Sequence, residues 1–201
     1  NRGMTQNILT QLHSILKKRI LIIDGAMGTM IQKQIKTDDS FDMLNITHPH
    51  IIENIHRQFL ENGTDIIETN TFNATSISQA DYGREKQIYE INYQAVKIAR
   101  KVCDEFTLND MLKPRFVAGV LGPTNKTLSI SPDVNNPSFR SLTFDQLVSS
   151  YNQQLEGLLD GGIDIILIET IFDTLNAKAA IYAVLTIFEQ RQIESPIFIS
   201  G

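Results

Sequence analysis

Cysteine is nearly missing from this chain: Cys103 is the only one in 201 residues. A lone thiol excludes an intrachain disulfide and suits a reducing, cytoplasmic setting. It also excludes any metal site that needs two or more cysteines from these residues. Long apolar runs are lacking as well. The most apolar stretch, 163–171, contains Asp164 and Glu169 and falls far short of the roughly 20 residues of a membrane helix. The run 8–15 is broken by Thr10, Gln11, His13 and Ser14, so it does not read as a signal peptide. Positive charge is not in excess: 18 Lys and Arg stand against 23 Asp and Glu, a net charge of −5. That argues against a broad phosphate-binding footprint, and nucleic acid is an unfavoured partner. A P-loop, a Gly-x-Ser-x-Gly elbow and a dinucleotide Gly-x-Gly-x-x-Gly are all missing.

The remaining composition, 42% hydrophobic and 20% charged, is that of a globular domain large enough to bury a core. Five short runs read as buried strands: 19–24, 65–69, 115–121, 164–169 and 196–200. Each is nearly continuous in aliphatic residues, the pattern of parallel strands covered on both faces. Helical periodicity lies between them. Ile51, Ile55 and Phe59 recur every four residues after Pro49, with Gly63 as the stop. Ile91, Ala95, Ile98, Val102 and Phe106 share a face. Thr143 with Gln146 forms a capping-box signature for a helix that stops at Gly161-Gly162, and Asp173 can cap a last helix. Alternating strands and helices mean an α/β fold with right-handed crossovers.

Four features could carry chemistry. The run Asp24-Gly25-Ala26-Met27-Gly28-Thr29 follows the first strand. Its glycines allow a tight turn that presents N–H groups to an anion, and Asp24 can accept from an ammonium group. A plain βα turn explains the same spacing. Asp24, Glu68 and Glu169 all fall at expected carboxyl ends of strands, where barrels and open parallel sheets place their sites. They read either as a cation-binding mouth or as salt-bridge partners of nearby Lys and Arg. The segments 63–69 and 162–170 echo each other, and their Gly-to-Glu separations differ by two, so both glutamates should face the same side of the sheet. The runs Glu68-Thr69-Asn70-Thr71-Phe72-Asn73 and Gly122-Pro123-Thr124-Asn125 carry Asn and Thr groups that suit orientation of a polar small molecule or ordinary turns. The long loops at 71–78 and 122–142 are candidates for function rather than mere connection. Cys103 and the four histidines, His13, His48, His50 and His56, read as structural or surface residues.

These motifs resemble a known family. Arg19-Ile20-Leu21-Ile22-Ile23-Asp24-Gly25-Ala26-Met27-Gly28-Thr29-Met30-Ile31-Gln32 looks like the opening of the homocysteine S-methyltransferase module, in the form found in cobalamin-dependent methionine synthases. Residues 63–73, 117–125, 129–135 and 168–180 follow the same pattern in order. The resemblance implies a (β/α)8 TIM barrel, of which this chain supplies about the first five strands. Residues 1–18 form a leading segment and helix, and 19–201 the partial homocysteine-binding barrel. It implies a 5-methyltetrahydrofolate–homocysteine methyltransferase that belongs to methionine biosynthesis. There, zinc activates the homocysteine thiolate for methyl transfer from methylcobalamin.

Carried over by position, Asp24 and Glu169 hold the homocysteine ammonium group, and the backbone of Gly25, Ala26 and Met27 cradles its carboxylate. Glu68, Asn70 and Asn125 line the mouth. The implied partners are homocysteine and the folate-, cobalamin- and reactivation modules of the same full-length chain. The family's zinc cysteines are expected beyond Gly201, so residues 1–201 alone bind neither zinc nor cobalamin and are inactive. The stretch between Gln32 and Leu44 departs from the family, lacking a Gly-Asn-Asn-Asp loop before Met43. Two alternatives stand beside this reading: a stand-alone homocysteine or betaine-type S-methyltransferase without cobalamin, and a non-catalytic amino-acid-binding barrel.

Overall fold

The computed structural model describes residues 2–200, with side chains from residue 8 onward; Asn1 and Gly201, the outer limits of the two expected segments, lie outside the described residues. The chain opens with α1 (Arg2–Leu16) and reaches α2 (Met27–Gln34), a 3-10 turn (Phe41–Met43), α3 (Leu44–Thr47) and α4 (Pro49–Glu61) before the first strand. Then follow β1 (Ile66–Glu68), α5 (Ser76–Gln79), a 3-10 turn (Ala80–Tyr82), α6 (Ile88–Asn109), β2 (Phe116–Leu121), α7 (Phe144–Gly161), β3 (Ile165–Glu169), α8 (Thr174–Arg191) and β4 (Ile197–Ser200). The sheet runs in the order β1-β2-β3-β4, every pair parallel.

Sequence signals set several of these boundaries. Pro49 opens α4 at its first turn, where a missing N–H costs nothing. Thr143 and Gln146 form both halves of the capping box on α7, and Gly162, with φ 97°, ends it in the left-handed region. The Asp173 carboxylate accepts from the N–H groups of Leu175 and Asn176 and so caps α8.

Four strands form where five were expected. The segment 19–24 runs beside β1 but makes only an isolated bridge, Ile23 to Ile66. Asp65 explains the shortfall. Its buried carboxylate accepts one N–H from each terminal nitrogen of the Arg19 guanidinium at 2.8 Å and the Ile22 N–H at 2.9 Å, so a side chain replaces part of the ladder. Ile20 is 84% exposed along this edge, so little apolar burial holds the segment in extended register.

Side-chain alternation divides the core into two layers. Ile67, Val117, Leu121, Ile166 and Ile168 point outward and pack under α6, α7 and α8. Ile66, Phe116, Ala118, Val120, Ile165 and Leu167 point to the opposite, inner face. There Leu12 of α1, 1% exposed, packs on them with Ile8 and Ile15 beside it. The leading helix thus covers the inner face, and burying its apolar side stabilises both at roughly 25 cal/mol per Å2 removed from water. No described helix is long and apolar enough to cross a membrane.

Candidate functional site

Glu68 ends β1 and Glu169 ends β3, each in step with the inner-facing residues of its strand. Both line one cleft of about 230 Å3 whose floor is Val120. This volume is below the roughly 300–1,000 Å3 of pockets that hold drug-sized ligands, and suits a molecule of amino-acid size. Ala26, Met27 and Gly28 form another side of the cleft. Ala26 adopts φ 57° and ψ 28°, which swings the chain so that α2 begins at the cleft. No side chain caps this helix, so its first N–H groups remain available to an anion, favoured there by the helix dipole. Thr170, directly after Glu169, is also left-handed at φ 56°. Strained backbone of this kind collects at ligand-binding sites.

The remaining wall comes from 69–73, and its hydrogen bonds fix it. The Thr71 hydroxyl donates to the Val120 carbonyl at 2.9 Å, and the Gln154 amide donates to the Thr71 carbonyl at 2.8 Å. The Asn70 amide donates to the Phe41 carbonyl at 2.7 Å, and Asn45 donates back to the Asn70 carbonyl at 2.8 Å. Asp42 accepts from the Asn73 N–H at 3.0 Å and from the Ser40 hydroxyl at 3.1 Å. Gly122 closes this corner: a Cβ there would stand 2.1 Å from the Phe72 carbonyl oxygen.

The site is strongly acidic. Asp24 lies behind the cleft, 8% exposed, and accepts from the Glu68 N–H at 2.7 Å. Burial pushes Asp24 up to about 8 despite that bond, and nearby Glu169 pushes in the same direction. Burial, then Glu169 and Asp24, push Glu68 up to about 8. Burial raises Glu169, and it raises Asp42 to about 6 against the bonds from Asn73 and Ser40. Among the described residues, no Lys, Arg or His lines the cleft. Among the described residues, none of these four carboxylates is in an ion pair.

The structure therefore brings Glu68, Glu169, Ala26, Met27 and Asn70 to one cleft, with Asp24 behind it. Gly25 does not line it. Asn125 must be corrected: it points away, its amide donating to the exposed Asp81 at 2.6 Å. The residues on either side of it are tied to α8, where the Asn176 amide donates to the Thr124 hydroxyl and the Lys126 carbonyl. Phe41, Asp42, Thr69, Thr71, Phe72 and Asn73 also line the cleft. Of these, Thr69, Thr71, Phe72 and Asn73 belong to the run 68–73 that the sequence marks as suited to a polar small molecule. Ser40-Phe41-Asp42 was hidden because the sequence there reads as a missing family loop; the signal available was Ser40 as a helix cap, its hydroxyl accepting from the Asp42 N–H.

The family profile described as homocysteine S-methyltransferase matches residues 21–201. The chain belongs to the homocysteine S-methyltransferase family. Its fold is similar to solved structures of the homocysteine methyltransferase MmuM from Escherichia coli. The metallated form aligns with a TM-score of 0.73 at 20% identity, over 92% of this chain and 64% of that one. The oxidized form gives 0.74 at 22% identity, over 94% of this chain and 64% of that one. The apo form gives 0.66 at 20%, over 94% and 63%. This chain thus spans a little under two thirds of the relatives it matches, and the four-stranded parallel sheet corresponds to part of their fold.

The described residues do not fit the thiolate-bound zinc that the family resemblance implies. No group of three or more His, Cys, Asp and Glu among them could hold a metal ion. Cys103 is fully buried on α6, its thiol directed at the Phe116 carbonyl, and burial pushes the thiol pKa up, away from the thiolate form.

Proposed function

We propose that the cleft is the homocysteine-binding part of a methyltransferase of the methionine synthase type. The observation that carries this reading is the pairing of two opposite features across one small cavity. Glu68 and Glu169, with Asp24 behind them, offer negative charge to an ammonium group. The uncapped start of α2 at Ala26, Met27 and Gly28 offers N–H groups to a carboxylate. An α-amino acid carries both charges on one carbon, so it bridges the two while its side chain projects along the cleft. Asn70 and Asp42 hold the wall, and Phe41 and Phe72 exclude water from the aliphatic part of the ligand.

In this reading the protein orients homocysteine and leaves its sulfur free to receive a methyl group. The zinc that activates the thiol, the cobalamin that donates the methyl group, the folate and reactivation modules and a cytoplasmic location remain parts of the proposal. Membership of the family supports methyl transfer to homocysteine in general, and the four motifs in order support the methionine synthase form. A second reading is a stand-alone homocysteine or betaine-type methyltransferase without cobalamin; membership of the homocysteine S-methyltransferase family is compatible with both. Turnover with and without methylcobalamin separates the two.

The test is calorimetric titration of homocysteine into the full-length protein and its Glu169→Gln and Glu68→Gln variants. Each removes a charged hydrogen-bond partner worth about 1.5–3 kcal/mol, so affinity should fall roughly 10- to 100-fold. Wild-type affinity in both variants would refute the assignment.

A further inference from the structure

Glu68 and Glu169 present carboxyl groups to the cleft that neither donate nor accept any hydrogen bond among the described residues. Asp24 is tied only through the Glu68 N–H and its own backbone. The other charged or titratable neighbours do not offset them. Asp42, on the 3-10 turn across the cleft, is a fourth acid. Cys103, on α6, carries a thiol held in its neutral form by burial. The Arg100 guanidinium on α6 is already engaged by Asp104 and by Asp164, at the opposite end of β3. Three carboxylates gathered at one partly dry end of a sheet, with no cation beside them among the described residues, cannot all be ionised without large repulsion.

We infer that the empty cleft holds a proton among Asp24, Glu68 and Glu169, and exchanges it for the ammonium group of the incoming α-amino acid. This inference rests on the substrate reading above and adds to it a proton coupled to binding. The O–H bond of one carboxylic acid breaks, its electron pair stays on the carboxylate, the proton passes to solvent buffer, and the ammonium group takes its place. Nothing is oxidised or reduced. Burial and mutual repulsion push the pKa of Asp24 and of Glu68 up to about 8, so both hold protons more tightly than ordinary carboxyl groups, in agreement with this distribution.

Below neutrality the carboxyl groups are protonated and the ammonium group must displace a proton, so binding weakens as pH falls. For one displaced proton, Kd changes by up to about tenfold per pH unit.

The test uses L-methionine, which has the same charged groups as homocysteine but no thiol, so thiol ionisation cannot contribute. It is titrated into the full-length protein between about pH 6 and 7.5, in buffers that differ in ionisation enthalpy. The expected result is release of about one proton per site and a Kd that tightens about tenfold per unit. In Glu68→Gln and in Asp24→Asn the released proton should drop to a fraction. Methionine that binds with no proton released and a flat Kd overturns the inference and leaves the zwitterion grip intact. Methionine that fails to bind at any pH overturns both.

Discussion

Replacing Gly122 by alanine should damage the fold and the cleft together. The added Cβ would stand 2.1 Å from the Phe72 carbonyl oxygen and 3.1 Å from a ring carbon of Phe72. Non-bonded heavy atoms rest at about 3.5–4.0 Å, so one wall must retreat by roughly 1 Å or more. Neither wall is free to do so. Gly122 is held by the buried Tyr151 hydroxyl, which donates to its carbonyl at 2.8 Å. The Phe72 side is held by Thr71, bonded to the Val120 carbonyl and to Gln154. Forcing an extra methyl group into such a fit costs about 1–3 kcal/mol. Because Phe72 and Asn73 line the cleft, the same displacement should weaken methionine binding. Urea unfolding and calorimetric titration of the full-length protein measure the two effects. Gly162→Ala is the control: nothing lies within 4 Å of its Cβ, but its φ is 97°. It should lose roughly 1–2 kcal/mol through backbone strain alone and keep wild-type affinity. If Gly122→Ala matches the wild type in both stability and affinity, the contact between 72 and 122 does not shape the site.

Two further outcomes follow from other parts of the molecule. Asp173→Ala removes the cap of α8 and both bonds to Ser129, and should lower stability by about 1–2 kcal/mol. It should also expose 122–142 to limited proteolysis; an unchanged cleavage pattern would show that Asp173 does not restrain that loop. His56 is fully buried, has no partner for either ring nitrogen, and burial lowers its pKa to about 4. The unfolded chain therefore binds this proton more readily, and stability is lost as pH falls from about 6.5 towards 4. Between pH 7 and 5 the wild type should lose on the order of 2 kcal/mol relative to His56→Leu. Parallel urea curves for the two proteins at both pH values would contradict the burial of a neutral imidazole.

Much of this architecture was legible from short-range signals. Continuous aliphatic runs marked β1 to β4 because both faces of each strand are covered. Thr143, Asp173 and Gly162 fixed helix ends, because caps and left-handed stops depend on residues within one turn. The two-residue difference between the Gly-to-Glu spacings anticipated that Glu68 and Glu169 would face one cavity, since side chains alternate along a strand. The segment 19–24 had equally strong strand character and yet pairs with β1 only through an isolated bridge, because the Asp65 carboxylate takes the Ile22 N–H that a continuous ladder would use.

By itself, then, the sequence determined the α/β alternation, the helix boundaries and which strands would end in a carboxylate. All of these follow from periodicity and neighbours a few residues apart. Long-range packing supplied what those local signals do not carry: α1 covers the inner face, Asp42 reaches the cleft, and Asn125 pairs with Asp81 instead of lining it. The ionisation of the acidic cluster belongs with these. It arises from burial and from the approach of Asp24, Glu68 and Glu169, which are up to 145 positions apart in the chain, and dielectric and distance exist only once the chain has folded.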